Sequence, residues 1–241
     1  MMADLPSIQP RSTWYAGDES RCTSLTYPYI SPTMPSKYKT HPLPTEQTFV
    51  MIKPDGVMRG LVGEVIKRFE QRGLKIVAIK MIQATHEKMD GFYPQDPAWI
   101  ERLGQKGLQT FAEYKLDPTM YLGTADPKEI GKSVRKNLID FMSLGPVVPM
   151  VIEGLHARDI VRKLAGATLP IFAQPGTIRG DFAHDAPTAA NVENRSVFNI
   201  VHASETVEEA MHEISYWFEP GEILDYDRAE HVIMFGDKRH L

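Results

Sequence analysis

His202 is the residue of this chain most open to a chemical role, because it closes a short apolar strand pattern, Val197 to Val201, just ahead of a periodic helix. The approach carries an amide, Asn199, and the exit carries a hydroxyl, Ser204, followed by Thr206-Val207-Glu208-Glu209. That S/T-x-x-E spacing lets a helix cap and its third helical residue satisfy each other's backbone donors. A ring held there sits beside free N–H groups and a positive helix end, which suits it to receive a phosphoryl group. Imidazole is also a competent nucleophile near neutral pH, since its unperturbed pKa is about 6.5. The ordinary alternative is a histidine that caps or packs, and one motif does not separate the two.

Lys53, Arg162 and Arg179 come from three separate elements. An ammonium and two guanidinium forks make a sensible set for a phosphate chain. Arg162 shares its helix with Arg158 and Lys163, so a solvated basic face stays open for it. Arg179 follows Pro175-Gly176, a turn that fits a backbone shaped around a ligand. Glu213 lies two turns into the helix after His202, beside the face marked by Ile214. A carboxylate aimed back at the corner would accept the second ring N–H and fix the tautomer. A solvated helix glutamate is the alternative.

The elements that must position these groups begin at Thr48, where Thr48 to Ile52 reads as a buried strand ending in Lys53 and a Pro-Asp-Gly turn. Leu61, Val65, Ile66 and Phe69 predict a helix stopping at Gly73; Leu74 to Ile82 predicts a strand; Thr85 to Tyr93 predicts a short helix. Pro146 to Ile152 is a strand, Ala157 to Leu164 a helix, and Gly166 to Phe182 a long loop. The last helix places Val207, Ala210, Met211, Ile214, Trp217 and Phe218 on one face. This order fits an α+β, ferredoxin-like split βαβ antiparallel sheet covered by helices. Residues 1–45, with seven prolines among Ser, Thr and Tyr, form an irregular N-terminal extension, and 46–241 form the domain. An excursion over about 94–131 carries an apolar set for one or two short helices, with Gly104 and Gly107 allowing a break and Asp117-Pro118 and Asp126-Pro127 marking turns.

Lys53-Pro54-Asp55-Gly56-Val57, Pro175-Gly176-Thr177-Ile178-Arg179-Gly180-Asp181-Phe182 and Asn199-Ile200-Val201-His202-Ala203-Ser204 resemble the nucleoside diphosphate kinase family, in the family's order. Arg59-Gly60-Leu61-Val62-Gly63, Ser143-Leu144-Gly145-Pro146-Val147-Val148 and Ile214-Ser215-Tyr216-Trp217-Phe218 extend the resemblance from about Gln47 to Tyr226, across two insertions. It implies the same fold and a phosphohistidine on His202 that takes the γ-phosphate of a nucleoside triphosphate and passes it to a diphosphate by a ping-pong route. It implies Glu213 as the support of the ring, and Lys53, Arg162 and Arg179 as phosphate ligands. Thr168, Tyr93, Asn199, Leu138 and Ser204 are carried over as further contacts; on the sequence alone each reads as an ordinary turn or core residue. Mg2+ would enter bound through the nucleotide phosphates, without a dedicated protein cage. A homo-oligomer is implied as well.

Three departures stand out. Ala203 replaces the family's usual glycine, Val134 falls where the family stacks a phenylalanine on the base, and Ala183 to Ser196 adds about ten residues before Asn199. The excursion is therefore expected either to extend over the nucleotide, with an aromatic replacing the missing stacker, or to cover a subunit surface or the protein's own flank.

A formal charge of −4 offers no basic field for nucleic acid, and the single cysteine, Cys22, can form neither an internal disulfide nor a cysteine metal site. No run approaches a membrane span and the first thirty residues lack the order of a secretory signal, so a cytoplasmic protein is expected. G-x-x-x-x-G-K-S/T and G-x-G-x-x-G are both absent, and His86-Glu87-Lys88-Met89-Asp90 begins like a zinc hydrolase motif but ends in Asp. An RNA-recognition sheet would need paired strand aromatics that Asn199-Ile200-Val201 lacks. A non-catalytic nucleotide-binding scaffold of the same fold is the remaining rival, and such a chain would be expected to lose the nucleophile or a cation.

Overall fold

The structure is a computed structural model and describes residues 45–226 together with 228 and 229. The expected N-terminal extension falls almost wholly outside those residues. At the centre lies β1 (Glu46–Ile52), which enters the sheet because its last five residues are continuously buried. It pairs antiparallel with β4 (Pro146–Gly154) on one side and with β5 (Val201–Ala203) on the other, and β2 (Lys75–Ile79) pairs with the far side of β4. The strand order is β2-β4-β1-β5, with β3 (Ile82–Gln83) joined to the start of β4. This is the ferredoxin-like order that the sequence predicts.

Alternation along β1 divides the core in two. Phe49 and Met51 face α3 (His86–Phe92), α6 (Pro127–Ser143) and α10 (Val207–Trp217), where Phe92, Ile139 and Trp217 complete one cluster. Val50 and Ile52 face α2 (Val62–Gln71) and α7 (Ala157–Ala165), with Val65, Phe69 and Val161. Each fully buried apolar side chain of this size contributes about 1.5–3 kcal/mol.

The turn after Lys53 winds into a five-residue helix, α1 (Pro54–Met58), with proline at its first position. The loop after α7 contains a 3-10 turn at Pro170–Phe172 and then α8 (Ile178–Phe182), capped by Thr177, whose side chain accepts from Gly180 N. A last short helix, α9 (Pro187–Val192), precedes β5.

The excursion differs from expectation. Instead of broken short helices it holds a continuous 17-residue helix, α4 (Pro97–Glu113), then α5 (Pro118–Leu122) and the start of α6. Asp96, Asp117 and Asp126 each cap the helix begun by the following proline, so the Asp-Pro pairs are helix starts rather than plain turns. Gly104 and Gly107 do not break α4. A Cβ on Gly104 would lie 1.7 Å from the Pro127 carbonyl oxygen, and one on Gly131 would lie 1.9 Å from the Ile100 carbonyl oxygen. Those two glycines let the backbones of α4 and α6 touch.

Two other expectations are corrected. β5 spans Val201–Ala203 rather than 197–201, so His202 sits inside the strand and not at its end. Ile200 has φ +69°, a left-handed conformation that a β-branched residue adopts only when held, and it stops the strand there. On α10, Val207 and Met211 are 45% and 67% exposed, while Ala210, Glu213 and Trp217 are buried. The inward stripe is therefore rotated toward the glutamate.

Candidate active site

Pairing with Met51 puts His202 on the Phe49 face of the sheet. The ring packs 6.0 Å from the Phe49 ring and 5.6 Å, edge-on, from the Phe92 ring. β5 then turns into α10, where Thr206 caps the helix by accepting from Glu209 N at 3.1 Å. Two turns later Glu213 returns to the strand. Its Oε1 lies 2.6 Å from His202 Nε2, and its Oε2 accepts from Ser204 Oγ at 2.6 Å. A carboxylate can only accept, so Nε2 carries the proton and Nδ1 keeps its lone pair. Glu213 is only 5% exposed, so burial excludes the solvated reading left open by the sequence.

Ser204 does not line the cleft that the sequence assigned it to. It is fully buried, and its hydroxyl is taken by Glu213, with the Phe49 carbonyl 3.3 Å away. It braces the glutamate from behind.

The turn after β1 clasps the residues before β5. Lys53 N donates to Ile200 O at 2.8 Å, and Ile200 N donates to Asp55 Oδ2 at 3.0 Å. A Cβ on Gly56 would fall 2.7 Å from Ile52 and 3.1 Å from Ile200, so the close approach needs glycine. These contacts hold the left-handed Ile200. Lys53 Nζ donates to Asn199 Oδ1 at 2.8 Å, and Asn199 Nδ2 donates to the Thr168 carbonyl at 2.8 Å. Arg179, 7% exposed, donates to the carbonyls of Gly166 and Val201 at 2.7 Å and of Asn199 at 3.3 Å. Arg162 is freer: its Nη2 stands 3.5 Å from Glu205 Oε1 and its side chain is 39% exposed.

The cations are short of negative charge. Burial first, and the Arg179 charge second, lower the Lys53 pKa to about 8, with Asp55 opposing. Burial, then the Arg162 charge, lowers that of Arg179 to about 10, again opposed by Asp55. Like charges crowded in a buried site favour a multiply charged anion.

A cleft of about 630 Å3 brings together Lys53, Tyr93, Leu138, Arg162, Thr168, Arg179, Asn199, His202 and Glu213. Of the residues picked out by sequence, only Ser204 is absent from its lining. The Tyr93 hydroxyl is buried without a hydrogen-bond partner among the described residues. Burial, then the Glu213 charge, pushes its pKa up, so it stays a phenol with a proton to donate. Sequence reasoning missed Asp55 as the anchor of Ile200. Trp99 and Leu103, which the sequence offers only as part of the apolar set of the excursion, line the same cleft together with Lys106 of α4, which it does not single out. Their i, i+4, i+7 spacing after an Asp-Pro cap was the available signal.

His202, Glu209 and Glu213 offer possible metal-ligand atoms within 4.8 Å of one another. Both Glu213 oxygens are already committed, to His202 and to Ser204.

An antiparallel α+β sheet that holds a carboxylate-braced imidazole in a cleft with undercompensated cations defines a protein suited to carrying phosphoryl groups on histidine. The particular family follows from comparison with known proteins. The nucleoside diphosphate kinase model matches residues 46–98 and 100–223, and the chain belongs to that family. It is 49% identical over 183 residues to the nucleoside diphosphate kinase of Pyrobaculum aerophilum, covering 76% of this chain and all of that one. The Pyrococcus furiosus enzyme is 42% identical over 184 residues, covering 76% and 89%. The crystal structure of the Pyrobaculum aerophilum NDP kinase superposes with a TM-score of 0.73 at 48% identity, covering 76% of this chain and all of that one. A Borrelia burgdorferi nucleoside-diphosphate kinase, solved as a transition-state mimic with bound vanadate and ADP, gives 0.63 at 35% identity, covering 78% and 96%.

Proposed function

We propose that this protein is a nucleoside diphosphate kinase that moves the γ-phosphate of a nucleoside triphosphate onto His202 Nδ1 and from there to a nucleoside diphosphate. The observation that carries the reading is the hydrogen-bonded chain Ser204–Glu213–His202, which holds the ring proton at Nε2. Attack by Nδ1 forms the P–N bond as the bond to the departing diphosphate breaks. The imidazolium so created keeps its Nε2–H against Glu213, whose charge offsets it. The reverse displacement by the second nucleotide regenerates the free ring.

Lys53, Arg162 and Arg179 bind the phosphate oxygens and neutralise charge as it shifts. Tyr93 donates its unpartnered hydroxyl to the transferring group or to His202. Thr168 and Asn199 face the phosphates and sugar, and Leu138 lies along the nucleotide. Ser204 acts through Glu213 rather than on the nucleotide. Mg2+ arrives as part of the substrate, bridging nucleotide phosphates. Among the described residues no helix is long and apolar enough to cross a membrane, and a cytoplasmic homo-oligomer completes the proposal. Residues 1–45 are a tail, and 46–241 are the catalytic domain with its insertion at about 94–131.

The test is His202→Ala. It should abolish transfer between ATP and other nucleoside diphosphates, and remove the acid-labile, base-stable label that [γ-32P]ATP leaves on the wild type, while nucleotide binding persists. Transfer by the variant near the wild-type rate would refute the assignment.

A further inference from the structure

The inserted helix α4 presents two stripes with different destinations. Gly104 and Phe111 are buried, and Gly104 lies against the backbone of α6. Trp99, Leu103 and Lys106, spaced i, i+4, i+7, line the cleft that contains His202. Val134 and Leu138, one turn apart on α6, line it too. The Gly104–Pro127 and Gly131–Ile100 contacts fix the two helices backbone to backbone, so the stripe of one is held in register with that of the other. The second insertion joins them: α9 packs on α4 and α5, and Asn191, Ser196 and Val197 reach the same cleft.

The cleft thus has two chemistries. One part holds the nucleophile and the buried cations, which suit phosphate. The other is a preformed apolar set, Trp99, Leu103, Val134 and Leu138, with polar groups at Asn191 and Ser196. A nucleotide divides in the same way, into an anionic chain and a planar heterocycle. Indole offers the widest flat face of any side chain, and stacking is tolerant of base identity because every base has a π-face.

We propose that α4 is a substrate-binding element in which Trp99 stacks on the nucleobase, in the apolar part of the cleft that it shares with Leu103, Val134 and Leu138. The insertion is then part of the nucleotide site and not a cover for a subunit face. This rests on the phosphotransfer reading above.

Two measurements test it on the full chain. In steady-state exchange between ATP and a second nucleoside diphosphate, Trp99→Ala should lower kcat/KM about ten-fold. The loss should fall mainly in KM, and Trp99→Phe should recover most of it. Phosphorylation of His202 by phosphoramidate, a donor without a base, should proceed at the wild-type rate in both variants. An unchanged nucleotide KM in Trp99→Ala, or a phosphoramidate rate that falls as far as the ATP rate, would overturn the proposal. The second measurement needs no variant: wild-type protein photolabelled with 8-azido-ATP should carry the adduct within residues 97–106. Label confined to other segments would equally overturn it. If the wild type transfers no phosphate between nucleotides, the phosphotransfer reading itself has failed; loss of the Trp99 effect alone leaves that reading intact.

Discussion

Nucleotide binding should take up a proton above neutral pH, and Lys53 is the group responsible. In the free protein, burial and the Arg179 charge bring its pKa from 10.5 to about 8. That gap corresponds to roughly 3 kcal/mol of unfavourable charging, at about 1.4 kcal/mol per pKa unit. The folded-state value lies below the unfolded one, so the unfolded chain binds more protons between about pH 8 and 10.5. The Lys53 contribution therefore makes stability rise with pH across that window, and the penalty is fully present below it. A polyphosphate beside Nζ reverses the local field and drives the pKa back up. At about pH 8.5, where phosphates are already fully ionised, binding ADP should then draw a substantial fraction of one proton from the buffer. Calorimetric titration in two buffers of different ionisation enthalpy measures that uptake. Equal binding enthalpies in both buffers would refute the reasoning, as would uptake that persists in Lys53→Met. In kinetics the same shift appears as a kcat/KM that declines above about pH 8 while kcat holds to higher pH.

Glu213→Gln keeps an acceptor for His202 but removes the charge, so the single-turnover phosphorylation rate should fall roughly ten- to hundred-fold with little change in nucleotide affinity; an unchanged rate returns the residue to a packing role. Gly104→Ala drives a methyl into the Pro127 carbonyl, 1.7 Å from the ideal Cβ. It should cost about 1–3 kcal/mol or more, seen as a Tm lower by several degrees, and an unchanged Tm would show that the helices separate freely. Deleting residues 1–44 should leave a folded, active core, because β1 begins only at Glu46; loss of activity with the melt unchanged would assign the tail to the assembly.

The central strand was legible because it is a local signal: five successive apolar or neutral residues ending in a lysine and a proline. His202 and Glu213 were legible through the resemblance of separated motifs in one order, since a corner position and a helical spacing alone fit a packing histidine and a solvated glutamate equally well. The true limits of β5 were not. They depend on Asp55 and Lys53, some 145 residues away, which hold Ile200 in a conformation that no local pattern announces. The glycines of α4 misled for a related reason. Locally a glycine reads as a break, and only the backbone of α6 shows that it is a point of contact. Ser204 was read as the hydroxyl at the exit toward the helix and, by resemblance, as a nucleotide contact, whereas its hydroxyl is taken by Glu213, and a local pattern does not say which neighbour takes a hydroxyl.

Arg179 carries a consequence of another kind. β5 is the edge of the sheet, and an unprotected edge invites a second chain to add a strand. Here the strand is three residues long, stopped on one side by Ile200 and on the other by the α10 cap, and the Val201 carbonyl is already occupied by the Arg179 guanidinium. A side chain suited to gripping substrate thus also shields the sheet from its own kind. Substituting it would leave an open carbonyl on the rim, and self-association on concentration or warming would accompany the loss of turnover.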